Sequence, residues 1–144
     1  MKRPFRKTRI SNRQDESARS GTASVELAVC LPVLILLVFG GIEASHFIQL
    51  KQNLTICAYE AAKKSAQGDA SMQDAIDRFS EIATAKGISG ASINFDQNFN
   101  SNTVSGTLIT VQVTAPAQPN YVMPVKFFLN RNLSAEVTMV RLQY

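Results

Sequence analysis

Hydrophobic and polar positions divide the chain into three regimes. Residues 27–42 form an uncharged apolar run. After it, Phe47, Leu50, Leu54, Cys57, Ala61 and Ser65 recur every three or four positions, which predicts one buried stripe along a helix. The stripe narrows to Cys and Ala at its C-terminal half, so a sheet can approach closely there, and Gly68 is a candidate stop. A second helix is predicted next, with Ser71 as its cap and Asp74 near its start. Met72, Ala75, Ile76, Phe79 and Ala83 share one face of it, and Gly87 ends it. From Ala91 the period changes to two. Ala91, Ile93 and Phe95 alternate with polar residues, QNFNSNTVSG reads as a polar loop, and Ile109, Val111 and Val113 alternate again. Pro116, Pro119 and Pro124 then break the chain, leaving residues 125–129 open between a short strand and a helical turn. Leu133, Ala135, Val137 and Met139 form the clearest strand. The order predicts an α+β fold, in which a long N-terminal helix and a second helix precede an antiparallel sheet of three to four strands. The helix stripe covers one sheet face.

Composition changes the picture mainly through where the charge lies. The 144 residues allow one modest domain plus attachments. The net charge of +4 is segregated: residues 1–21 carry Lys2, Arg3, Arg6, Lys7, Arg9, Arg13 and Arg19 against Asp15 and Glu16. The remainder is close to neutral. A nucleic-acid partner requires a basic face on the folded part, and the sequence offers none.

Basic residues before an apolar run are retained on the cytoplasmic side, so the chain beyond the run is translocated. Residues 1–20 hold few apolar groups and are expected to lack structure. A span needs about 20 residues, and the apolar run reaches that length only by extending back across Glu26 through Val25, Ser24, Ala23 and Thr22. A secretory-signal cleavage site requires small residues at positions −3 and −1, and FGGIEAS supplies no suitable pair. A lipoprotein reading at Cys30 puts the apolar run on the wrong side of the cysteine. A cut before the run, at Gly21, fits the order of elements and leaves the helix on the mature protein.

The string GTASVELAVCLPVLILLVFGGIEAS, residues 21–45, resembles the TadE-like minor pseudopilins of tight-adherence (Tad, or Flp) pilus systems, within the type IV pilin-like superfamily. A glycine, Val-Glu, a proline inside the apolar run and a following Gly-Ile-Glu recur in that group. The leader departs from its pattern in ending Arg19-Ser20-Gly21 rather than on an Arg-Gly pair. The resemblance spans roughly residues 19–68. It implies processing by a prepilin peptidase between Gly21 and Thr22, with Glu26 at mature position five. It implies other pilins and Tad assembly platform proteins as partners. It also implies an inner-membrane location, with the N-terminus cytoplasmic and the C-terminal domain outside, and with incorporation in a pilus as a further outcome. The implied domain boundaries are a cleaved leader (1–21), a transmembrane helix (22–43) and an extracytoplasmic pilin-like domain (44–144). The alternative is a single-pass anchor whose outer domain binds something unrelated to pili.

The residues themselves argue the same way. A charged group inside a membrane helix is rare and marks a function by default. Cleavage after Gly21 creates an amine on Thr22, four residues before Glu26, and positions i and i+4 share a helix face. A plain interfacial acid is the competing reading. Pro32 removes one helical hydrogen bond and is expected to kink the segment. Glu43, beyond the run, is expected in water.

Catalytic chemistry is not indicated. His46 lies three residues after Glu43, two ligands where a zinc site needs three or four. No nucleophile elbow or phosphate loop occurs. Cys30 and Cys57 are too far apart along one helix to pair and read as small core residues, with a bond between subunits through Cys57 as the other option. No cofactor or metal is expected, and the reading is a structural protein rather than an enzyme.

Overall fold

The computed structural model describes residues 13–120 and 131–142, with the backbone alone for residues 13–20. The elements are α1 (Arg13–Ser65), α2 (Met72–Ala85), β1 (Ser92–Phe95), β2 (Leu108–Pro116), a short 3-10 turn (Gln118–Asn120) and β3 (Asn132–Val140). The chain divides into two compact units, Met1–Phe39 and Gly40–Tyr144.

In the first unit α1 begins at Arg13, which corrects the expectation of a structureless leader for residues 13–20. Gln14, Glu16, Ala18 and Arg19 are ordinary helix formers by propensity and no breaker separates them from the apolar run. Pro32 lies inside the uninterrupted helix. Its missing N–H leaves the Ala28 carbonyl without the usual partner four residues on.

The second unit is built on the predicted stripe. Leu50, Leu54, Cys57, Ala61 and Ser65 are buried, joined by Ala58 and Ala62, with Phe47 packed at the margin. The stripe shares one core with a three-stranded antiparallel sheet of order β1-β2-β3. Register obeys the alternation. Ile93 faces Val113 and Phe95 faces Val111 across β1 and β2, while Val111 faces Val137, Val113 faces Ala135 and Ala115 faces Leu133 across β2 and β3. These residues form the core side. The other face carries hydroxyls, with Ser92 Oγ and Thr114 Oγ1 2.7 Å apart and Thr110 Oγ1 and Thr138 Oγ1 3.0 Å apart. Residues 125–129, read either as strand or as turn, lie outside the described residues.

Helix α2 has its start and stop where the sequence puts them. The Ser71 N–H donates to Asp74 Oδ2 (2.7 Å) and the Asp74 N–H to Ser71 Oγ (3.3 Å), a reciprocal capping box. At the other end Ile88 N–H bonds the Ala83 carbonyl and Gly87 N–H the Thr84 carbonyl, 3.0 Å each. This closure needs a left-handed residue, and Gly87 supplies it at φ 65°. Ala75, Phe79 and Ala83 are buried against α1 and the sheet. Arg78 reaches back to Glu60 at 2.9 Å and also pairs with Glu81. Both carboxylates hold the Arg78 guanidinium above its ordinary pKa, Glu60 most.

The polar loop holds one surprise: Phe99 is buried, packed edge-to-face on Phe95 with centroids 5.4 Å apart. An aromatic ring in contact with the core outweighs the polar residues on both sides of it.

Candidate functional site

The processing and assembly residues singled out by sequence lie together on the N-terminal unit. Gly21, Thr22 and Glu26 all fall inside α1 and all are exposed. Thr22 and Glu26 are one helical turn apart on the same face. Around and beyond Glu26, the large apolar residues from position 25 to position 38 are exposed too. This is one helix long and apolar enough to cross a membrane, by length and composition, with none of its most apolar stretch buried within the protein. Cys30 is exposed there, which corrects its reading as a core residue. It belongs to the apolar run, whose surroundings are not the protein's own core.

Among the described residues nothing packs against the α-carbon of Gly21. A Cβ built on it meets nothing within 4 Å, and the same is true of Gly40 and Gly41. Glycine inside a helix costs about 1 kcal/mol relative to alanine. The fold would therefore gain from a larger residue at position 21.

The second unit departs from expectation at its charged residues. Glu43 is 1% exposed, which corrects its placement in water. It precedes Phe47 by four positions and so continues the buried stripe of α1 toward the N-terminus. His46, half-buried, lines a polar groove of about 100 Å³ together with Gln49 and Asn53 of α1, Lys86 and Gly87 after α2, and Asn120. Asn120 is held in place by bonds to Ser89 and to the Pro116 carbonyl. No cluster of three or more His, Cys, Asp or Glu suited to a metal ion occurs among the described residues.

A buried charge that the sequence pattern did not single out is Arg141, fully buried just past β3. Its guanidinium donates to four main-chain carbonyls: Ser65 (2.8 Å), Gly68 (2.8 Å), Ala70 (3.0 Å) and Asn100 (2.7 Å). The last turn of a helix leaves carbonyls without partners and carries a partial negative charge. Arg141 takes up the Ser65 carbonyl at the end of α1, and the adjacent Leu142 N–H bonds the Ala66 carbonyl just beyond it at 2.8 Å. The Phe99 ring lies under the guanidinium, 5.5 Å from its centroid. Period-two alternation carries the signal: positions 133, 135, 137, 139 and 141 share one sheet face.

Cys57 is buried among these core residues, and burial pushes its thiol up, partly offset by Lys86. Its burial removes the option of a bond between subunits with the domain folded.

The described residues form an α+β protein with one long N-terminal helix apolar enough to span a membrane, a second helix and a three-stranded antiparallel sheet. Residues 21–63 match the family model of TadE-like protein. That match covers less than half of the chain. It is to the group that the string from Gly21 to Ser45 resembles. No curated protein and no solved structure matched significantly.

Proposed function

We propose that the chain is a minor pilin, or pseudopilin, that takes part in assembly of a tight-adherence pilus. A prepilin peptidase cuts between Gly21 and Thr22 at the inner membrane, removes the basic leader, and leaves a helix that joins other pilins through the assembly platform. The observation that carries this reading is the family match over residues 21–63, which begins at the proposed cut. The glycine without a packing reason supports it, since a peptidase pocket that admits only hydrogen accounts for Gly21 where the fold does not. Cleavage needs the helix opened locally, and glycine lowers the cost of that opening.

After the cut, the Thr22 amine and the Glu26 carboxylate of one subunit or of neighbours satisfy each other within the bilayer, where an unpartnered charge costs a few kcal/mol. Subunits then enter only in the axial register that joins the two charges. Pro32, in this reading, bends the helix so that neighbours pack. Glu26→Gln keeps size and removes the charge, so it inserts and is cut at Gly21 but fails to co-purify with pilus components or to support piliation. Asp69→Asn, on an exposed turn, serves as the control. Normal piliation by Glu26→Gln refutes the register role. A chain that still starts at Met1 in cells with active peptidase refutes the processing. If both fail, a single-pass anchored binding protein unrelated to pili is the reading that stands.

A further inference from the structure

We infer that two faces on opposite sides of the unit Gly40–Tyr144 bind each other between copies of this chain, head to tail. The inference rests on this folded unit alone and not on the pilus reading. Residues 45–63 of α1 bury one stripe in the shared core and leave another outside. Ile48, Ile56 and Tyr59, each about half exposed, fall within about 80° of arc on that outer stripe. Lys63 lies inside the arc and Lys51 at its margin. They are the only charged side chains among the exposed residues from Ser45 to Lys63. Glu60, half-buried beside them, is taken up by Arg78.

The sheet presents the reverse charge. Its core side packs with α1, so its outer side is the far side of the unit. Leu108 and Val140, cross-strand partners, are about half exposed there. The outer positions of the strands also carry Glu136, with Asp96 at the margin of β1, and no Lys or Arg among the described residues. One subunit therefore holds a basic, partly apolar helix face and an acidic, partly apolar sheet face, back to back. A two-fold dimer through either face would set like on like, Lys on Lys or Glu on Glu. Charge complementarity instead joins the helix face of one copy to the sheet face of the next. That contact repeats the helix-on-sheet layering from which the unit itself is built. A joined pair keeps one face free at each end, so association continues past two.

The test uses the full chain in detergent, with micelles in large excess so that chance co-occupancy is rare. Sedimentation velocity over a range of protein concentrations reads the association. Wild type is expected to associate beyond dimers, and less so at high salt, because exposed charges are screened. Lys63→Glu and Glu136→Lys, each alone, set like charges opposite and are expected to weaken association about tenfold. An equimolar mixture of the two is expected to recover wild-type association, since every junction between alternating copies then holds one acid and one base. Circular dichroism checks that each variant keeps the wild-type fold; should Lys63→Glu not fold, the neutral Lys63→Gln and the salt dependence read the same contact. Monomeric wild type, single variants that associate as wild type does, or a mixture no stronger than its components overturns the inference. Cleavage at Gly21 and piliation by Glu26→Gln are read separately, so failure here leaves the pilus reading standing.

Discussion

Replacing Arg141 by leucine removes the donor from four main-chain carbonyls at once, two of them in buried bonds and two in part-buried ones. Ser65, Gly68, Ala70 and Asn100 each accept a bond of 2.7 to 3.0 Å from this one side chain, and Leu fills much of its volume without a polar atom. A buried acceptor left without a donor costs about 1–3 kcal/mol. Relief of the guanidinium's own desolvation offsets part of the sum, since a buried charge is expensive to keep. Loss of one partner from a buried charged network typically costs about 3–5 kcal/mol, and about 4 kcal/mol is the expectation for Arg141→Leu. Against a domain stability of about 5–15 kcal/mol this is a large fraction.

Urea unfolding of the compact unit Gly40–Tyr144, followed by circular dichroism, measures it. With a slope of about 2 kcal/mol per M, the midpoint falls by about 2 M in Arg141→Leu. Arg141→Lys keeps the charge but replaces a planar fork with a point donor, so it recovers only part of the loss. A midpoint for Arg141→Leu within about 0.3 M of wild type refutes the capping role, a change too small to represent even one orphaned carbonyl. A lysine variant equal to wild type shows that charge alone, and not the four-way geometry, satisfies the helix end.

Leu54→Asp places a carboxylate at a fully buried position between α1 and the sheet and is expected to unfold the same unit, read as loss of the cooperative transition. Ser71→Ala removes the capping hydroxyl of α2 and is expected to cost about 1 kcal/mol, read as a shift in the urea midpoint. The Ser71 N–H, and after it the Ser71 hydroxyl, hold the Asp74 carboxyl below its ordinary value. Its contribution is therefore present above the unfolded carboxylate pKa of about 3.9 and fades as pH falls through the lower folded value, a slope that Asp74→Asn should abolish. Burial raises the Cys57 thiol, so the folded unit should resist a thiol reagent at pH 8 and react fully in urea; rapid labelling of the native unit would place Cys57 at the surface.

What the sequence revealed, and what it hid, divides along a physical line. Helix α2, its capping residues Ser71 and Asp74, and the β2 and β3 alternation were legible because they rest on local chemistry: a hydroxyl three residues before an acid, a glycine after the last turn, a period of two. The end of α1 was not legible in the same way, because its cap comes from Arg141, more than seventy residues away. Phe99 was hidden by its polar neighbours, since an alternation argument has nothing to count in a loop.

The charged residues show why polarity misleads at the candidate site. Glu43 and Arg141 both fall on continuations of apolar patterns, one turn before Phe47 and two residues after Met139, and both are buried in the folded unit. Their positions obey the periodicity, and charge alone made them look like surface. For Arg141 the fold supplies the reason, four main-chain carbonyls, one at the end of α1, two in the connection after it and one in the loop after β1. Glu26 also interrupts an apolar pattern, yet it is exposed, as are its apolar neighbours. Its neighbour Gly21 likewise meets nothing that a side chain would disturb. Residues that the protein's own packing explains are spent on the fold. Gly21 and Glu26 stand at the start of the segment matched to TadE-like protein, which is why the proposed processing and charge pairing are placed there.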